Sequence, residues 1–156
     1  MHAQDVFAQL QGSWTFKRQL LNHKTPNCSG QVTGKACFTP IRKHQYLFTE
    51  EGEFVTSANK ILVKKQFIYA FNAQYQTITV YSSQQLKAVD QLFVLHFAEN
   101  SAHSLSSHAN YQCAADRYSA QYSLTNNTAP CLEIIFNVQG PNKDYQSTTT
   151  YHQLHT

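Results

Sequence analysis

The sequence predicts an all-β fold: a meandering antiparallel sheet of about eight to ten strands that closes into a barrel after a short N-terminal helix. Segments rich in aromatic and β-branched residues alternate apolar and polar positions and recur about every ten residues. Beyond the first ten residues no helical period is left for the crossover helices that parallel strands need. Closure into a barrel is then the surest way to hide the sheet edges.

The helix is predicted over residues 5–10, where Val6, Phe7 and Leu10 stand at helical spacing and Gly12 follows as the stop signal. The next segments, "WTFKRQLL" and "GQVTGKACF", alternate as half-buried strands do. Further strands are predicted at residues 45–52, 64–71, 77–83 and 91–98. The segments "NYQCAADRYSAQYSL", "LEIIFNVQG" and "DYQSTTTYHQL" supply about three more strands, with Gly140-Pro141 at the last turn.

Composition limits the function classes. A chain of 156 residues has the length of a single domain, predicted here over residues 1–156. Its composition, with 42% hydrophobic and 13% charged residues, excludes a disordered chain. No apolar run reaches the roughly 20 residues that span a bilayer, so no membrane association is predicted. The net charge is +3, but Lys and Arg never exceed adjacent pairs, which argues against nucleic-acid binding.

The N-terminal stretch has no basic lead before an apolar core, so we expect a cytoplasmic protein. Four scattered cysteines in a chain of this size favour free thiols in a reducing compartment. Cys37 and Cys113 are expected to pack as small apolar side chains.

The stretch "SSHANYQCAADRYSAQY" holds residue types that bind metals. In a single straight strand His108 and Cys113 point to opposite faces, and only a bend or hairpin near Asn110 to Ala114 could bring His108 and Asp116 together, so no metal site is predicted. The same parity places His108, Asp116 and Tyr118 on one face. No catalytic signature or phosphate-binding loop is present in the sequence.

Some strand faces that carry large apolar residues also carry charges. Arg18 shares the face of Trp14, and Glu50 shares a face with aromatic residues. Buried charges need partners or a polar ligand; alternatively, Arg18 covers the barrel end by packing on Trp14. Tyr69 either lines or fills a cavity, and His96 is expected to be a satisfied core residue.

Several motifs together resemble a known family. "LQGSW" resembles the entry strand of lipocalin-like (calycin) barrels, and "GKACF", "YLFTEEG", "HANYQCAADRY" and "GPNKDYQSTTTY", in that order, resemble domain of unknown function 6314. The resemblance spans residues 10–151 and implies a lipocalin-like β-barrel with no established activity. The final strand departs from the pattern, because it reads "TYHQLHT" where a closing arginine is expected. The motif positions carried over are Gly12, Trp14, Arg18, Gly34, Glu50, Gly52, Tyr69, His108, Cys113, Asp116, Tyr118, Gly140, Pro141, Lys143, Asp144 and Tyr145.

The leading hypothesis is a barrel that holds a small apolar or aromatic molecule with a polar end. The predicted ligand-binding residues are Arg18, Glu50, Tyr69, His108, Asp116, Tyr118, Lys143 and Tyr145. The first alternative is a small isomerase, cyclase or hydrolase with His108 as base and Asp116 as its orienting partner. The others are a haem-binding barrel, with His96, His103 or His108 as axial ligand, and a protein-interaction module.

Overall fold

The computed structural model describes residues 2–155 and confirms the all-β prediction: after one short helix, eleven antiparallel strands form a single sheet. The elements are α1 (Ala3–Leu10), β1 (Gly12–Asn22), a 3-10 turn (Pro26–Cys28), β2 (Gly30–Arg42), β3 (Gln45–Thr56), β4 (Lys60–Asn72), β5 (Thr77–Gln84), β6 (Lys87–Leu95), β7 (Ala98–Ser101), β8 (Ser104–Cys113), β9 (Asp116–Asn126), β10 (Pro130–Gln139) and β11 (Asp144–Gln153). The strand order is β6-β5-β4-β3-β2-β1-β11-β10-β9-β8-β7.

The sheet curls until its two edges meet. Its edge strands are β6 and β7, yet only two residues separate Leu95, at the end of β6, from Ala98, at the start of β7. Three peptide steps span at most about 11 Å, so the two edges must be adjacent. The His96 backbone N–H, just after β6, donates to Ser107 Oγ of β8 at 2.8 Å. The predicted barrel therefore forms, with side-chain contacts at its seam.

The N-terminal helix closes one end of the barrel. Val6, Phe7 and Leu10 are buried, and the Phe7 ring stacks on Tyr46 of β3 with centroids 4.1 Å apart. Trp14 is fully buried below the helix, and its indole N–H donates to the Leu10 carbonyl at 2.9 Å. The apolar layer near α1 is therefore packed solid, and any cavity must lie toward the other end.

A pair of glycines lies where strands β2 and β3 leave no room for a Cβ beside the barrel interior. Gly34 of β2 and Gly52 of β3 face each other in the ladder. A Cβ on Gly34 would lie 2.5 Å from Gly52 Cα, and one on Gly52 would lie 2.9 Å from the ring of Phe16. Only glycines permit this close approach of the two backbones.

One predicted strand is a hairpin, and together with β7, which was not predicted as a separate strand, it brings the number of strands to eleven. The segment "NYQCAADRYSAQYSL" turns at Ala114–Ala115, where Cys113 pairs with Asp116 and Ala114 has a φ of 53°. Such a φ usually calls for glycine or asparagine, neither of which marks this turn. The sequence allowed a bend or hairpin near Asn110 to Ala114 but did not predict this turn, so the segment was predicted as one strand.

Candidate functional site

The barrel contains a cavity of about 310 Å³ at the end away from α1. Its walls are mainly aromatic, with Phe48 and Phe67 on one side and Phe93 and Phe136 on the other. The volume lies at the lower end of the range for small-molecule sites, roughly 300–1,000 Å³. The large side chains of the barrel do not fill this space.

An ion pair crosses the cavity wall between strands β1 and β3. Arg18 Nη1 and Nη2 each donate to one carboxylate oxygen of Glu50 at 2.8 Å, and both side chains are almost fully buried. The Arg18 Nε–H donates to Thr149 Oγ1 at 2.7 Å. The Tyr151 hydroxyl accepts from Arg18 Nη2 at 3.1 Å and donates to Glu50 Oε2.

The fold makes room for this pair across an intervening strand. Strand β2 lies between β1 and β3 and carries Gly34 and Ala36 on the inner face. Because these residues are small, the Arg18 side chain can reach Glu50 directly. The Arg18 guanidinium also lies 5.1 Å from the Phe16 ring centroid, so the ring it contacts is Phe16 and not the predicted Trp14.

Electrostatics keeps the pair charged despite its burial. Burial disfavours the guanidinium charge, but the hydrogen bonds and charges of Glu50 and Tyr151 outweigh it and raise the pKa of Arg18. Burial, followed by the nearby Glu50 carboxylate, holds the pKa of Tyr151 well above its usual value. The network therefore consists of one cation, one anion and a neutral phenol. Since Arg18 uses four of its five N–H donors within the wall, it is largely committed to the protein itself.

Deeper in the cavity, two tyrosines from opposite walls form a buried pair. The hydroxyls of Tyr69, on β4, and Tyr122, on β9, lie 2.7 Å apart. Burial raises the pKa of Tyr122 to about 12 and that of Tyr69 well above its usual value. This hydrogen bond ties together strands 53 positions apart in the sequence.

Lys65, on β4, is a cavity-lining residue that sequence reasoning missed. It faces Glu50 in the β3–β4 ladder. Its side chain is solvent-accessible, yet desolvation and then the Arg18 charge lower its pKa. Both observations fit an ammonium group that contacts the water of the cavity mouth while protein surrounds it.

A second polar cluster lies at the rim, where the turn after β10 meets β9. Lys143 Nζ donates to the Tyr118 hydroxyl at 3.2 Å and lies 3.4 Å from Asp116 Oδ2. The hydrogen bond from Lys143 to Tyr118, and then the contact with Asp116, raise the pKa of Lys143. A Cβ at Gly140 would overlap the Asp116 carboxylate, so glycine is needed for the turn to approach β9.

The structure brings only some of the predicted ligand-binding residues to the cavity. Arg18, Glu50, Tyr69 and Tyr118 line it. Asp116 and Lys143 lie beside Tyr118 at the rim. Tyr145 is half-buried on β11, and burial raises its pKa.

The predicted pairing of His108 with Asp116 is wrong. The Ala114–Ala115 turn reverses the parity of the chain, so His108 pairs with Gln121 and points to the outer face, while Asp116 pairs with Cys113 on the inner side. His108 is exposed. The general base proposed for an enzyme therefore lacks its orienting partner.

Other sequence expectations also need correction. His96 is exposed instead of buried in the core, and His103 is exposed as well. No histidine of residues 2–155 lines the cavity, so the predicted axial haem ligands His96, His103 and His108 lie outside it. All four cysteines are free, but Cys113 is exposed at the cavity and does not pack as an apolar core residue.

The missed cavity residues had a detectable signal. Thr149 and Tyr151 share the period-two face of "DYQSTTTYHQL", and Tyr122 shares a face with Tyr118. Alternation indicated the face of each side chain, but not which strand would lie opposite.

Within the part of the chain described, no group of three His, Cys, Asp or Glu side chains is placed to hold a metal ion. No helix of residues 2–155 is long and apolar enough to cross a membrane.

The fold and cavity define an antiparallel β-barrel with an aromatic interior. The family model described as "Family of unknown function (DUF6314)" matches residues 10–153, and the chain belongs to that family. No match is found among the curated proteins. Among solved structures, the S-type phycobiliprotein lyase CPES from Guillardia theta is similar with a TM-score of 0.46 and 9% identity, over 100% of this chain and 94% of that chain.

Proposed function

We propose that the protein binds a small apolar or aromatic molecule inside the barrel, with the polar end of that molecule at the cavity mouth. The observation that carries the proposal is the cavity of about 310 Å³, which remains open although aromatic side chains surround it. Burying an apolar ligand against such walls is favourable by roughly 25 cal/mol per Å² of apolar surface.

The polar groups of the site divide into two sets. Arg18 and Glu50 satisfy each other and shape the wall, so their role is to support a rigid cavity. Tyr118 lines the cavity, and its hydroxyl is positioned by Lys143 at the rim. A ligand's polar end can exchange hydrogen bonds with this hydroxyl while the body of the ligand contacts the phenylalanines.

The neutral fluorophore N-phenyl-1-naphthylamine tests this proposal, because its emission rises in apolar surroundings. We expect saturable binding to the intact protein. The variant Ile134→Trp should weaken binding by about tenfold or more, since residue 134 lines the cavity and the larger ring occupies part of it. The control Val89→Trp adds the same ring at an exposed site on β6 and should bind as the parent does.

A second variant, Leu92→Phe, also reduces the cavity volume, because Leu92 lines the cavity from a different strand. It keeps the test valid if Ile134→Trp does not fold. Circular dichroism identifies the folded variants. Failure of the parent protein to bind the fluorophore, or unchanged affinity in a folded filled variant, would overturn the proposal.

A further inference from the structure

The cavity wall carries one cation that has no ion-pair partner among the described residues. Within residues 2–155, the Lys65 side chain makes neither a salt bridge nor a hydrogen bond, although Lys65 faces Glu50 across the β3–β4 ladder. Glu50 is already paired with Arg18, which donates to both carboxylate oxygens at 2.8 Å, and neither a hydrogen bond nor a salt bridge joins Glu50 to Lys65. The Tyr151 hydroxyl adds a further hydrogen bond to the same carboxylate.

The other charges near the mouth are balanced. Arg18 and Glu50 cancel each other, and at the rim Lys143 lies 3.4 Å from Asp116. The remaining ionisable groups on the wall are tyrosines and Cys113, which supply neutral donors. Of the described residues that line the cavity, Lys65 therefore supplies the excess positive charge.

Lys64 and Lys65 are neighbours on β4, but their side chains lie on opposite faces of the strand. Lys64 precedes Lys65 on β4 and so points to the outer face, where it is exposed and lies 3.9 Å from Glu51. Lys65 points toward the barrel interior. Desolvation and the Arg18 charge lower the pKa of Lys65, which is the electrostatic environment that a bound anion would relieve.

We infer that the ligand carries an anionic group, a carboxylate or a sulfonate, that pairs with the Lys65 ammonium at the mouth while its apolar body lies among the aromatic walls. This inference rests on the proposed function. Phe48 and Phe67 are on the same side of the cavity as Lys65, so an aromatic acid can contact the rings and the ammonium at once. The tyrosine hydroxyls of Tyr111 and Tyr118 are further donors on the opposite strands.

Two matched fluorophores test the anion site at Lys65 separately from the apolar cavity of the proposed function. N-phenyl-1-naphthylamine is neutral, and 8-anilino-1-naphthalenesulfonate has the same rings with one sulfonate. We expect the Lys65→Met variant to lose about tenfold in affinity for the sulfonate, as expected for a charge-assisted contact, and to retain its affinity for the neutral probe. The control Lys64→Met should bind both probes as the parent does.

The outcomes are distinct. Added salt should weaken sulfonate binding in the parent protein but not in the Lys65→Met variant. If Lys65→Met binds the sulfonate as tightly as the parent, the inferred anion site is wrong while the apolar cavity stands. If the parent does not bind N-phenyl-1-naphthylamine, the proposed function fails, and the inference fails with it.

Discussion

Arg18 and Glu50 form a two-pronged ion pair inside the barrel, with both Nη–Oε distances at 2.8 Å. The two residues lie on strands that are not adjacent, and the pair joins them across β2. Thr149 and Tyr151 of β11 complete its hydrogen bonds. The network thus connects β1, β3 and β11 beside the cavity.

The variant Glu50→Gln should be strongly destabilised, because it leaves the buried Arg18 charge without its counter-charge. We expect a loss of about 3–5 kcal/mol in the free energy of unfolding, measured by urea denaturation. The matched control is Glu51→Gln, which changes an exposed neighbour on the outer face and should alter stability by less than about 1 kcal/mol. The double variant Arg18→Met/Glu50→Leu removes both charges. Its loss in the free energy of unfolding should therefore be smaller than the sum of the losses for Arg18→Met and Glu50→Leu alone. A cost for Glu50→Gln no larger than that of Glu51→Gln would contradict this account.

The variant Gly34→Ala should destabilise the barrel by about 2 kcal/mol or more, because its Cβ would press on the β3 backbone, 2.5 Å from Gly52 Cα. Thermal unfolding followed by circular dichroism measures the loss. The control Thr33→Ala alters the exposed neighbouring position and should shift the midpoint little. Equal stability of the two variants would show that the contact of β2 with β3 does not require glycine at residue 34.

Stability should fall at alkaline pH as the buried tyrosines lose their protons. The pKa of Tyr122 is raised to about 12 in the folded protein from 10 when unfolded, so the folded state holds the proton more tightly. That contribution is complete below pH 10 and is lost as the pH rises toward 12, a change of about 3 kcal/mol. Urea titrations across this range should show the decline, with a smaller decline in Tyr122→Phe. Tyr75→Phe, at a position that is 67% exposed, should behave as the parent does.

The four thiols should react with a disulfide reagent in two phases. Cys28 and Cys113 are exposed and should react first, whereas Cys37 and Cys131 are half-buried. Burial also raises the pKa of Cys131, which lowers its thiolate fraction. The single variants Cys28→Ser and Cys113→Ser should each remove one fast thiol. Excess N-phenyl-1-naphthylamine should slow the reaction of Cys113 but not of Cys28, because only Cys113 lines the cavity; protection of both thiols would argue against binding at this cavity.

Much of the fold was predictable because strand alternation is a local property. The helix at α1, most strand positions and the inward direction of Arg18 and Glu50 follow from the spacing of apolar residues along the chain. The sequence allowed a bend or hairpin near Asn110 to Ala114, but it did not fix the turn at Ala114–Ala115, since alanine carries no turn signal. That single turn changed the face of His108 relative to Asp116 and removed the predicted pair.

The sequence by itself determined the all-β class, the short helix and the inward direction of Arg18 and Glu50. Tertiary structure decided which of these groups meet: Glu50 is 32 positions from Arg18, and Thr149 is 131 positions away. It also decided that a cavity remains and that Lys65 lies on its wall without a partner. The physical reason is that alternation assigns a side chain to a face, whereas register, sheet curvature and closure, which depend on contacts between distant strands, determine what lies opposite it.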